Sequence, residues 1–306
     1  MVQIKFDIEK IAIILFFAIL LFIGPGNSFN HNIRHEFPYG YLASDTFQHQ
    51  VRAESIKDAG NFRYEAPYIS QGFDEVVGRY PPVIYHISVI FAYLAGLEVY
   101  DSIYFLVFFF AVTGALVMYL IIKNFNKNVA LMSLPFAILA FSYPLSIGFA
   151  WGHWPSLVSQ SYLILFFWSI MMIELDKSYA LIALIFTSII LTHTSEAIFA
   201  IIFLALFFGI KLASWNFNKS YIKNILIAFA ISFAISLHYL IIFWHTWAKS
   251  EKYSFAVEPV WQGNPGFYLL GFGILAIFMS VGIIFALLKL KNMHASLVLA
   301  IAMLIG

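Results

Sequence analysis

Runs of about twenty apolar residues recur from one end of this 306-residue chain to the other, and that recurrence limits its folds more than any motif does. Sixty-two per cent of the residues are hydrophobic and 11% are charged. An apolar stretch of that length satisfies its own backbone as a helix and matches a hydrocarbon core of about 30 Å. The runs do not alternate apolar with polar, so an outer-membrane barrel is excluded. The expected fold is therefore all-α and polytopic, a single transmembrane domain over 1–306. Candidate spans fall at roughly 9–25, 102–122, 129–147, 156–174, 178–192, 197–213, 223–245 and 267–288. A last apolar run, 295–306, is too short to cross, so truncation at the C-terminus is expected. The formal charge of +1 gives no nucleic-acid footprint. With no cysteine, thiol catalysis and thiolate metal sites are excluded.

The segment "PVIYHISVIFAYLAGL", 82–97, decides the topology. As a helix it reaches only roughly 24 Å, so it is expected to lie at the interface without crossing. With the N-terminus inside, Lys123, Lys127, Lys177, Lys211, Lys219, Lys223, Lys289 and Lys291 then fall on the cytoplasmic side, as the positive-inside rule prefers. An outside N-terminus with 82–97 crossing fits those lysines equally well, but it puts Lys5 and Lys10 outside. The preferred layout gives a first extracytoplasmic loop over 26–101. All four arginines (Arg34, Arg52, Arg63, Arg79) and nine of the sixteen acids lie in that loop. Polar chemistry is concentrated there.

Within the loop, "SDTFQHQVRAESIKDAG" reads as a polar helix, with Ser44 as N-cap, Lys57 in the last turn and Gly60 as the stop. Asp45, His49 and Arg52 fall at i, i+4 and i+7 and share one face. A carboxylate there can take a proton from a hydroxyl acceptor, and a neighbouring guanidinium or imidazole can hold a phosphate. A solvated helix face would show the same spacing.

Further on, "FDEVVGRYPP" sets Asp74, Glu75 and Arg79 just before the interfacial segment. Its acid pair could take a divalent cation, or serve only as a surface turn. "GFAWGHWPS" places Trp151, His153 and Trp154 at an outer hairpin end, where tryptophans are ordinarily belt residues; stacking on a sugar is the functional alternative. "LTHTSEA" sets His193 and Glu196 between two apolar runs, a functional candidate or a polar hairpin tip. His86 lies in the interfacial segment itself. His238 lies on a late span, as an interhelical hydrogen bond would require.

A first span followed by "SDTFQHQVRAESIKDAGNF" and "PYISQGFDEVVGRYPPVIYHISVIFAYLAGL" resembles the start of GT-C membrane glycosyltransferases. These include protein O-mannosyltransferases, lipid-sugar transferases and oligosaccharyltransferase catalytic subunits. The likeness covers about residues 10–125 and is nearest to prokaryotic members. It implies an integral, multi-pass plasma-membrane enzyme. The enzyme would transfer a sugar from a polyprenyl-phosphate-linked donor, bound beside membrane lipid, to an acceptor the sequence does not identify. Asp45 matches the family's first-loop catalytic acid. His49, Arg52, Arg79, His86, His153, His193 and Glu196 are the candidate substrate-binding residues. The chain departs from the family in two ways. Thr46 and Phe47 follow Asp45 where many members carry a second acid, and the oligosaccharyltransferase W-W-D motif is absent, so a metal requirement is left open. A transporter or lipid flippase is the competing class, but it predicts charges deep in the spans and matched interrupted helices. A non-catalytic relative that binds a lipid-linked glycan is the third reading.

Overall fold

A computed structural model describes residues 7–28, 44–60, 80–134, 152–173, 179–213, 219–244 and 281. Among the described residues there are nine helices and no strand. They are α1 (Ile8–Ser28), α2 (Ser44–Ala59), α3 (Val83–Ala95), α4 (Val99–Lys123), α5 (Lys127–Ser133), α6 (Trp154–Ile173), α7 (Tyr179–Ile190), α8 (Thr194–Ala213) and α9 (Lys219–Phe243). Of these, α4 and α9 are long and apolar enough to cross a membrane. Each has 25 residues, or roughly 37 Å of helix. The expected run at 129–147 is described only as far as 134, and the run at 267–288 lies outside the described residues except for Val281.

Local chemistry ends these helices where the chain must turn. Gly60 stops α2 at φ 63, with its N–H donating to the Lys57 carbonyl at 3.2 Å. Gly96 closes α3 in the left-handed region, and the Leu97 N–H returns to the Ala92 carbonyl. Asn126 caps α5 by accepting from the backbone N–H groups of Asn128 (2.9 Å) and Val129 (3.2 Å).

Two buried apolar clusters hold the helices together. The first joins α1, α2, α3, α4 and the start of α6. Tyr104 meets Trp154 with ring centroids 5.9 Å apart, and Phe110 meets Tyr162 at 5.0 Å, so α4 and α6 run in the same direction. Gly114 lets them approach closely: a Cβ there would stand 3.0 Å from Ser161 Oγ. The second cluster packs α7 between α6 and α9, with α8 against α6. Phe186 sits 5.7 Å from Phe166 and 4.1 Å from Phe229, and Phe167 sits 4.2 Å from Phe203. The Ser232 hydroxyl donates to the Ala183 carbonyl at 2.8 Å, tying α9 to α7.

The two ends of the bundle differ in character. Glu9, at the start of α1, is buried and ion-pairs with Lys123 and Lys127; it also accepts from the Tyr119 hydroxyl at 2.7 Å. The beginning of α1 and the end of α4 therefore share one end. At the opposite end lie α2 and α3, side by side. His49 meets Tyr85 near their beginnings, and the Tyr93 hydroxyl meets the Lys57 carbonyl near their ends. Lys57 then pairs with Glu98 at 3.1 Å, immediately before α4. The start of α3 is pinned by the Val83 N–H donating to Leu191, at the turn between α7 and α8.

Candidate functional site

The polar helix α2 does not present its candidate face to solvent. His49 is 2% exposed and Arg52 is 3% exposed, while Val51 and Phe47 on the other side are open. The i, i+4, i+7 spacing correctly places Asp45, His49 and Arg52 together, and the structure turns that face toward α3, α6 and Tyr80. Asp45 is half-buried in the first turn.

His49 stands in an aromatic box. Its ring lies 5.1 Å from Tyr80, 5.8 Å from Tyr85 and 5.9 Å from Trp154. Nδ1 is 2.7 Å from the Tyr85 hydroxyl, and the ring also hydrogen-bonds the Gly152 backbone. Burial, reinforced by the neighbouring Arg52 charge, pushes its pKa down to about 3. The ring is thus neutral at physiological pH. The Tyr85 hydroxyl and the surrounding rings thus fix the position of the His49 ring beside Arg52.

Arg52 is different. Its guanidinium carbon lies 4.6 Å above the Tyr80 ring. Nε and Nη1 are buried and have no hydrogen-bond partner among the described residues. A buried guanidinium with two idle donors is costly unless an anion meets it.

Glu196 is 3% exposed in the first turn of α8. Its carboxylate hydrogen-bonds His193 Nδ1 and accepts from the Ser156 hydroxyl at 2.8 Å, and Gln160 Nε2 donates in turn to Ser156 Oγ at 3.2 Å. This network ties the start of α8 to the first turns of α6. Because Ser156 bonds the carboxylate and not the imidazole, the trio is not a nucleophile–base set. His153, just ahead of α6, is exposed, and both it and His193 act electrostatically on His49.

The structure therefore gathers Asp45, His49, Arg52, His153, His193 and Glu196 at one end of the bundle. It does not bring His86 into that group. His86 is half-buried on α3, and its electrostatic neighbour is His238 on α9; burial pushes its pKa down. Arg79, Asp74, Glu75 and Trp151 lie outside the described residues. Among the described residues no group of three metal-ligating side chains is placed to hold an ion. Trp154 is fully buried against His49 and Tyr104, so it packs the core and has no face to offer a sugar.

Sequence reasoning missed Tyr80, Tyr85, Ser156 and Gly152. The Tyr-Pro-Pro segment was a usable signal for Tyr80. Nothing in the spacing marks Gly152, which meets α2 only through tertiary packing. The chain matches no protein-family model, no characterised protein and no solved structure.

Proposed function

We propose that this protein is a multi-pass plasma-membrane glycosyltransferase of GT-C type. It moves a sugar from a polyprenyl-phosphate-linked donor to an acceptor on the extracytoplasmic face. The observation that carries this reading is Arg52: a buried guanidinium with two nitrogens that have no partner among the described residues, two turns along the same helix face from Asp45. Anion and base sites are thereby set on one helix face, two turns apart. The membrane layout has separate support. Glu9 joins the start of α1 to the lysine-bearing end of α4, and the positive-inside rule assigns that end to the cytoplasm. The site then faces outward. At 13 residues, roughly 20 Å, α3 is short for a span, and both its ends are tied to the outward side.

In this mechanism the acceptor oxygen forms a bond to the anomeric carbon as the bond from that carbon to the phosphate oxygen breaks. The acceptor proton goes to the Asp45 carboxylate. The electron pair leaves with the carrier phosphate, whose growing charge Arg52 stabilises. His49 stays neutral and keeps the two in register.

The test is sugar transfer from a polyprenyl-phosphate donor by purified Asp45→Asn protein, with Asp58→Asn as control. Asp58 is exposed on the last turn of α2. Removing a positioned base lowers the rate roughly 10²–10⁴-fold. Near-wild-type transfer by Asp45→Asn, or loss of transfer in Asp58→Asn alone, defeats the assignment.

A further inference from the structure

We propose that Gly152 and the His49–Tyr85 pair are positioning elements for Asp45, so that the segment leading into α6 sets where the carboxylate of α2 stands. The inference rests on the transferase reading above for its catalytic meaning and on geometry alone for the coupling. Gly152 has φ +84, a conformation that side-chain-bearing residues rarely adopt. Its Cα faces the first turn of α2. A Cβ built there would stand 2.4 Å from Thr46 N, 2.7 Å from the Asp45 carbonyl carbon and 3.0 Å from Asp45 Cβ. None of these is the tip of a flexible side chain. Any substituent at 152 must therefore displace the backbone that carries Asp45.

One helical turn later, His49 ties the same two segments. Its Nδ1 hydrogen-bonds the Tyr85 hydroxyl on α3 at 2.7 Å, and the Gly152 backbone acts on the same ring. In turn α3 is fixed by the Val83 N–H donating to the Leu191 carbonyl, two residues before His193. Trp154, fully buried, fills the space between His49 and Tyr104. Two distant stretches of chain, at 152 and 83–85, thus meet the beginning of α2, and Leu191 holds the second of them in place. Thr46, next to Asp45, is completely buried. The position of Asp45 is consequently a property of this junction and not of α2 by itself. Displacing a reacting group by about 1 Å can cost on the order of 10²-fold in rate.

The experiment uses the full chain in detergent with ¹³C-labelled aspartate carboxyls, the Asp45 resonance being identified through Asp45→Asn. Gly152→Ala should move the Asp45 resonance and leave that of Asp58 in place. It should lower kcat about 10²-fold while KM for the donor holds, because Arg52 lies two turns away. Tyr85→Phe, which removes only the hydroxyl on His49, should move the Asp45 resonance in a protein that keeps its packing. It decides the matter if Gly152→Ala does not fold. An Asp45 resonance that stays put in the folded variants, or a rise in KM with kcat intact, overturns the positioning role. If wild type transfers no sugar from any polyprenyl-phosphate donor while the Asp45 resonance still moves, the junction stands and the transferase reading falls.

Discussion

Replacing Arg52 by methionine separates what this side chain costs the fold from what it does for a ligand. The guanidinium is 3% exposed, and two of its nitrogens have no partner among the described residues. Each buried, unmatched polar group costs about 1–3 kcal/mol. The Tyr80 ring beneath it, at 4.6 Å, returns about 0.5–2 kcal/mol through the cation–π attraction. Methionine keeps most of the length and adapts to irregular space. In the absence of an anion, Arg52→Met is therefore expected to be more stable than wild type by about 1–4 kcal/mol, in line with other buried ions replaced by apolar residues. A phosphate that binds Arg52 should offset much of that difference. At one hundred times its dissociation constant a ligand stabilises the native state by about 2.7 kcal/mol. Dodecyl phosphate, added to protein in a neutral maltoside detergent, should raise the unfolding midpoint of wild type and leave that of Arg52→Met alone. The assay is reversible urea unfolding followed by tryptophan fluorescence, with dodecyl maltoside at equal concentration as the blank. Two results would refute the reasoning. One is an Arg52→Met protein destabilised by more than about 2 kcal/mol, the mark of a charge whose partner was removed. The other is equal stabilisation of both proteins by dodecyl phosphate, which would place the anion elsewhere.

His49 should make stability depend on pH in one direction. Its native pKa, about 3, lies below the ordinary histidine value, so the unfolded chain binds the extra proton between the two. The stabilisation is complete above about pH 6.5 and falls by roughly 1.4 kcal/mol per pH unit as the solution is acidified toward pH 3. The difference in unfolding free energy between wild type and His49→Phe, measured across that range, should carry this slope, and a flat difference would mean that the ring is not held neutral. At the other end of the bundle, Glu9→Ala leaves the buried Tyr119 hydroxyl without its acceptor and should cost about 1–3 kcal/mol with no change in dodecyl phosphate affinity; altered affinity would link the two ends. For topology, the cysteine-free chain allows single cysteines at 61 and 124, the latter chosen because Asn126 caps α5. In whole cells only the former should react with an impermeant thiol reagent from outside, and the opposite pattern would invert the layout.

Much of the fold is legible in one dimension because its signals are local. Ser44 and Gly60 bracket α2 within a residue of its observed ends, and the apolar runs anticipate α4, α6, α7, α8 and α9 closely. The shortness of the 82–97 segment also follows from length alone, and Gly96 marks the end of α3. The Glu9 cluster is less accessible. Glu9, Tyr119, Lys123 and Lys127 meet only because α1 lies against α4 and α5, and an acid at position 9 looks like ordinary flanking charge.

The site shows where such reading stops, and why. A helical spacing states which side chains share a face, but not whether that face meets water or protein. Asp45, His49 and Arg52 satisfy the same pattern in both cases. What settles it is the supply of partners. A buried imidazole needs polar partners, and it meets Tyr85 and the Gly152 backbone, two positions 67 apart in the numbering. A buried carboxylate needs donors, and Glu196 finds them in His193 and Ser156. Arg52 lacks the same provision: its neighbour is a ring, and two of its N–H groups point at nothing described. Within one small junction, then, the described residues match two ionisable groups and leave a third incomplete. A chain that buries residues this expensive, and completes the others, gains nothing in stability from the incomplete one. That imbalance is the physical reason to look for an anion at Arg52.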